Sequence, residues 1–224
     1  MHKKGSVLIA MGLLLLAAAL LLTGYNIWDG MRADAAAQSA VKELRSLIPS
    51  AQTEETEPPA AAPESFPPAE ETSPAASEET EPTEPTAPDM SGDMPTVELN
   101  GYRYIGMLEV PSLELTLPVM EQWDYDRLNI SPCRFSGNVY QDNLVICGHN
   151  YPHHFQPLKY VPIGTQLKFT DAEGNDFYYA VTSIETIGPN DVQAMTTGDW
   201  DLTLFTCNTS GQTRCAIRCE RLGK

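Results

Sequence analysis

Between Ala51 and Met90 the chain carries eleven acidic residues, nine prolines and no lysine or arginine. A tract of that composition cannot bury enough apolar surface to repay the entropy of ordering it. A single globule of 224 residues is therefore excluded, and the regions on either side must be read separately. The tract also accounts for most of the formal net charge of -16. From Val97 onward nine basic residues stand against fifteen acidic ones, a mild imbalance over a length sufficient for one domain with its own core. No segment carries the basic patch that neutralises phosphates, which excludes a nucleic-acid partner.

On the N-terminal side, Lys3 and Lys4 precede an apolar run that extends from Val7 to Trp28. At 1.5 Å rise per residue, such a helix is about 33 Å long, enough to cross a bilayer core. The two lysines place the short end in the cytoplasm, and Tyr25 and Trp28 stand where an interfacial aromatic belt would lie. A cleaved signal peptide is the competing reading, since Ala33-Asp34-Ala35 has the small-x-small pattern of a cleavage site. The length of the run and the distance of that site beyond it favour an uncleaved signal anchor, with residues 7–28 in the lipid and the remainder outside the cell. Residues 1–28 are thus read as cytoplasmic end and transmembrane helix. Residues 29–49 are read as a juxtamembrane helix, with Val41, Leu44 and Ile48 at helical spacing. Residues 50–96 are a disordered linker with a reach of about 140 Å if polyproline-like, a spacer that would carry a domain off the membrane. Residues 97–224 form the globular domain.

Within that domain, short strands alternate with turns. Tyr102 to Val110 and Leu115 to Met120 flank Pro111-Ser112, and Asn143 to Cys147 is an apolar strand ended by Gly148. Gln166 to Thr170 and Phe177 to Ile187 flank Asp171 to Asn175 as a hairpin, and Leu202 to Thr206 and Arg214 to Arg221 complete seven or eight strands. Only Asp124 to Ile130 and His154 to Tyr160 look helical. The fold class is mainly β, an antiparallel barrel or sandwich.

Five cysteines are an odd number for an exported chain. Cys215 and Cys219 share a strand face at about 13 Å, too far for a disulfide, and are expected as buried core thiols. Cys207 differs because it ends an apolar strand just before the polar turn Asn208 to Gln212. A reactive cysteine must be a thiolate, which a nearby imidazole or guanidinium favours. His149 and Arg214 both stand at strand ends, and a hairpin after Cys207 would bring Arg214 back beside the thiol. Cys147, His149, Asn150, His153 and His154 admit a zinc reading, but structural zinc draws ligand pairs from separate knuckles, so surface loop histidines are expected instead. Trp123 and Trp200 fit either a groove or the core.

Thr203-Leu204-Phe205-Thr206-Cys207 resembles the TLxTC signature of sortases, with Arg214 in the following strand. Ile146-Cys147-Gly148-His149 is similar to the strand end that carries their histidine, Tyr104 to Pro111 with Leu117-Pro118-Val119 to their opening strands, and Phe155 to Leu158 with Gly164 to the segment after the histidine. This resemblance spans Tyr102 to Arg221. It implies an eight-stranded sortase-type β-barrel with short helices and a membrane-anchored cysteine transpeptidase of mainly Gram-positive bacteria. It further implies cleavage of an LPxTG-like sorting signal on secreted proteins, with transfer of the acyl group to an amine of a cell wall precursor or a pilin. By position, Cys207 would be the nucleophile, His149 the general acid and base, and Arg214 the group stabilising substrate and oxyanion. Thr206 and Asn150 are substrate-binding candidates. No cofactor is implied; some sortases bind calcium, for which Glu109, Glu114, Asp171 and Glu173 are candidates only as acidic residues of loops and turns. The fourteen or so residues between Ile187 and Leu202 are too few for the helical insertion of class B enzymes, and no Asp-Pro-aromatic lid of the class C kind precedes the barrel. A noncatalytic wall-displayed binding module and a cysteine hydrolase of another type remain the alternative functions.

Overall fold

The computed structural model describes residues 2–49, 93–208 and 211–223. Nine strands form one sheet: β1 (Val97–Leu99), β2 (Tyr102–Val110), β3 (Leu115–Met120), β4 (Cys133–Ser136), β5 (Leu144–Cys147), β6 (Gln166–Asp171), β7 (Asp176–Ile187), β8 (Leu202–Cys207) and β9 (Arg214–Arg221). Their order is β1-β2-β3-β4-β5-β8-β9-β7-β6, and a further pairing of β2 with β6 closes the ring. Eight strands make the barrel, as the sequence leads one to expect, and β1 is an extra strand laid against β2. Closure leaves no hydrogen-bonding edge among the eight.

Seven of these strands coincide with the apolar runs. The other two, β1 and β4, are only three and four residues long and too brief to show alternation. Pairing is antiparallel except for β3 with β4 and β5 with β8. The parallel β5–β8 pair needs a long crossover, which the β6–β7 hairpin and the segment after it provide. At the β6–β7 turn the Asp171 carboxylate accepts from the Glu173 and Asn175 backbone N–H groups, both at 2.9 Å, and from the Tyr140 hydroxyl at 2.7 Å. Strand β2 bends at a bulge between Tyr104 and Gly106; Gly106 has φ +152, and a side chain there would collide with the Thr170 carbonyl.

The helices are slighter than the sequence predicts. In place of Asp124 to Ile130 there is α2 (Tyr125–Leu128), capped by Asp124, whose side chain accepts from Arg127 N. In place of His154 to Tyr160 only a 3-10 turn forms, over Pro157–Tyr160. A third short helix, α3 (Val192–Thr196), follows β7.

Alternation sorts the barrel residues into two layers. Leu108, Leu117, Ile146, Phe169, Tyr179, Leu204 and Ile217 fill the interior, joined by Cys215 and Cys219 as core thiols. Tyr104, Met107, Met120, Cys133, Val145, Cys147, Phe205 and Ala216 form a second, outer apolar layer. Beside β1 and β3 that outer layer is covered by α1 (His2–Leu47), a single helix running unbroken through Trp28. Ala33, Ala37, Ala40, Val41, Leu44 and Ile48 are all buried, on the stripe that the spacing of Val41, Leu44 and Ile48 foreshadows. The alanines allow close approach, and each large apolar side chain seated there contributes about 1.5–3 kcal/mol. By contrast every residue from Leu8 to Trp28 is exposed, and this stretch is long and apolar enough to cross a membrane. The expected linker over residues 50–96 falls largely outside the described residues. Its described end, Asp93 to Thr96, already contributes Met94 to the buried core.

Candidate active site

Register alone assembles the centre of the site. In the parallel β5–β8 pair, Cys147 stands opposite Phe205, and the pairing continues as Gly148 N–H donates to the Phe205 carbonyl at 3.1 Å. Two residues further along each strand come His149 and Cys207, on the same outer face. In the antiparallel β8–β9 pair, Cys207 stands directly opposite Arg214. Three neighbouring strand ends thus present imidazole, thiol and guanidinium side by side. All three line one cavity of about 280 Å³, whose remaining wall is mainly apolar, including Trp123, Leu128, Phe135, Met195 and Phe205.

Gly148 lets the histidine strand end where it does. A Cβ there would lie 2.6 Å from the Phe155 ring, so only glycine allows that buried aromatic to pack under the backbone. The loop after it is tied back by Phe155 N–H donating to the His149 carbonyl at 3.2 Å and His154 N–H to the Tyr151 carbonyl at 3.0 Å.

His149 is half-buried, and its Nε2 donates to Asn129 Oδ1 at 2.9 Å. An amide oxygen only accepts, so Nε2 carries a proton and Nδ1 is the nitrogen left to gain or lose one. The Tyr151 ring lies 4.8 Å from the imidazole, tilted by 34°. Burial pushes the His149 pKa below the usual histidine range, while the Asp29 carboxylate pulls the other way. Asn129 ends α2, a role the sequence does not advertise, since a lone asparagine after a short helix reads as an ordinary cap.

Cys207 is the one partly exposed cysteine among the five; the other four are buried. Burial pushes the thiols of Cys147 and Cys219 up to about 12, and those of Cys133 and Cys215 upward as well. Those four are inert as nucleophiles at neutral pH. Arg214 Nη1 donates to the Gly211 carbonyl at 3.0 Å, which anchors its guanidinium to the turn after β8.

Thr206 also belongs to the cavity wall, but its side chain is buried and its hydroxyl has no hydrogen-bond partner. Asn150 is not brought to the same place. It lines a separate cavity with Tyr151, His153 and residues of α1. Trp123 lines the cavity of His149, Cys207 and Arg214, whereas Trp200 packs beside Arg218 at 6.0 Å. Arg218, on the strand face opposite Cys215 and Cys219, is buried, donating to Thr203 Oγ1 at 3.1 Å and to the Ala194 carbonyl. His154, expected at the surface, is fully buried; burial lowers its pKa to about 4. The acidic residues do not gather: Glu109 pairs with Lys168 at 3.0 Å, and Asp171 is saturated in its turn. Among the described residues no three His, Cys, Asp or Glu side chains are grouped to hold a metal.

Comparison with known proteins gives a consistent family. The sortase domain profile matches residues 108–222. Among solved structures, sortase A from Corynebacterium diphtheriae is 21% identical with a TM-score of 0.50, covering 55% of this chain and 62% of that one. Sortase C from Clostridium perfringens SM101 is 22% identical with a TM-score of 0.45, covering 54% and 71%. A Clostridium perfringens sortase D5 transpeptidase is 19% identical with a TM-score of 0.47, covering 54% and 79%. The chain therefore spans less than two thirds of the first of these proteins. No curated protein matches the sequence.

Proposed function

The chain belongs to the sortase family, and on that footing we propose that it is a single-pass membrane protein whose external domain is a cysteine transpeptidase. Its substrates are secreted proteins with a C-terminal LPxTG-like sorting signal, and its second substrate is an amine of a cell wall precursor or a pilin. The N-terminus is cytoplasmic, in keeping with Lys3 and Lys4 before the apolar run and the longer translocated chain behind it.

The observation that carries this reading is the strand register that sets His149, Cys207 and Arg214 on one cavity wall. The Cys207 thiolate adds to the carbonyl carbon of the signal's threonine. Arg214 donates hydrogen bonds to the oxygen as negative charge develops there. The C–N bond breaks, and His149 gives its proton to the departing glycine nitrogen. A thioester remains on Cys207. An incoming amine then attacks it, His149 takes the amine proton, and Cys207 leaves as thiolate. The apolar wall formed by Trp123, Leu128, Phe135 and Met195 suits the leucine and proline of the signal, and the unpartnered Thr206 hydroxyl suits its backbone.

The test is a peptide library of LPxTG-like sequences given to the full chain in detergent, with and without an added amine. Cleavage, a mass increase on Cys207 and a product joined to the amine are expected; Cys207→Ala abolishes all three. Failure to cleave any member would end the reading. Release to water undiminished by amine would point to a hydrolase.

A further inference from the structure

The tip of the apolar stretch of α1 reaches the histidine side of the cavity. Asp29, the first charged residue after it, accepts a hydrogen bond from the Tyr151 hydroxyl at 2.8 Å, 122 residues away in sequence. The Tyr151 ring in turn lies 4.8 Å from that of His149. On its own helix, Asp29 is steadied by Arg32 at 3.4 Å, and Arg32 sits over Trp28. Nothing in the sequence links these residues, and the catalytic chemistry set out above does not use Asp29 or Tyr151.

We propose that Asp29, on the membrane anchor, is a positioning residue for His149, acting through Tyr151 to hold the imidazole in its working orientation. A phenol that donates to a carboxylate forms a strong, directional bond, so Tyr151 has one rotamer while α1 is docked. With Asn129 holding Nε2 and Tyr151 covering a ring face, the imidazole is fixed on two sides. The polarised phenol ring also favours a cation at its face, and the Asp29 charge acts in the same direction on a histidine whose protonation burial opposes. His149 must be protonated when the leaving amine departs, so both effects serve the first half of the reaction. Full activity therefore requires the anchor helix to lie on the barrel, and a catalytic domain cut from its anchor is a weakened enzyme. The inference rests on the transpeptidase reading for its kinetic consequence, but not for the coupling between Asp29 and His149.

The charged and titratable groups that face His149 or its neighbours are Asp29 beside His149, Arg32 beside Tyr151, Asp34 and His153 beside His154, His154 itself, and Cys207 and Arg214 on the same cavity wall. The experiment uses the full chain in lipid nanodiscs, as wild type, Asp29→Asn, Asp29→Glu, Tyr151→Phe and the Asp29→Asn/Tyr151→Phe double variant. Two quantities are read: kcat and KM on an LPxTG-like peptide across pH, and the His149 titration by NMR of labelled histidine, of which the chain has four. Asp29→Asn is expected to lower kcat about 5- to 20-fold with KM within about twofold, the signature of a group that acts on the reacting state. The His149 titration and the corresponding limb of the pH profile should move to lower pH. Asp29→Glu should recover most of the rate, and the double variant should be no slower than the slower single one, because both remove one interaction. Unchanged kcat and titration in Asp29→Asn would overturn the proposal. So would additive losses, or an equal loss in Asp29→Glu accompanied by a lowered Tm, which would mark a merely structural role. If the wild type turns over no peptide while the Asp29→Asn titration still shifts, the transpeptidase reading falls and the coupling stands.

Discussion

The two halves of α1 are one continuous helix with opposite solvent histories. From Leu8 to Trp28 every residue is exposed, whereas from Ala33 to Ile48 a stripe of six residues is buried on the barrel. The first half, apolar but for Thr23 and Asn26, is long and apolar enough to cross a membrane; the second is amphipathic and packs on the barrel. Under the proposed membrane anchoring, a helix that passes at Asp29 from an exposed apolar stretch to a docked one fixes the height of the barrel above the bilayer. The described residues on either side of the acidic tract, Ile48 and Met94, are both buried.

The contrast is broken most directly by a charge in the docked half. Leu44 is fully buried, and Leu44→Asp should cost about 4 kcal/mol of domain stability, since it removes a packed side chain and desolvates a carboxylate. Thermal unfolding of the full chain in nanodiscs measures it, and a change under about 1 kcal/mol would mean that the docking contributes little. Next in size is acid. His154 is buried between the catalytic loop and α1, with its pKa lowered from the usual value to about 4 by burial first and by the nearby His149 second. Its neutral form favours the docked state, so the contribution is fully present above about pH 6.5 and is lost as pH falls toward 4. At about 1.4 kcal/mol per unit the loss is on the order of 3 kcal/mol. Hydrogen exchange of α1 between Ala33 and Ile48 should accelerate over that window, and His154→Phe should flatten the response.

The same kind of charge placed in the exposed half should behave differently. Leu16→Asp should weaken membrane insertion by about 2.5–3.5 kcal/mol while leaving the unfolding of the barrel unchanged. A fall in barrel stability would show that the two halves are energetically one unit. The smallest expected effect is from shortening the tract: removing residues 60–80 should leave the distance from barrel to bilayer, read by energy transfer from Trp200 to a lipid probe, within experimental scatter. A large approach of the barrel to the membrane would favour the spacer reading.

Much of the barrel was legible because strands with one inner and one outer face write period-two alternation into the chain. Leu115 to Met120 and Leu202 to Cys207 are cases where run and strand coincide. The strands that escaped, β1 and β4, form because neighbours offer unpaired edges, and three or four residues carry no readable period. Cys207, His149 and Arg214 were legible as candidates because each stands where an apolar run meets a polar turn. Asn129, Tyr151 and Asp29 were not, because each is a common residue in a common local setting whose meaning lies in a partner 20 to 122 residues away. His154 was misplaced for a related reason: a titratable side chain reads as exposed until one knows what packs over it.

Composition settled that the chain has an apolar helix, an acidic tract and a near-neutral β domain, because each depends on properties averaged over tens of residues. Local pattern settled where seven strands run and which residues stand at their ends, because alternation and turn chemistry act within a few positions. Which strand ends become neighbours, which of five thiols stays in reach of solvent, and that α1 folds back to touch the loop after His149 were settled by closure of the barrel and docking of α1. Those are long-range packing events, and their free energy comes from surfaces that meet only when distant segments are already in place.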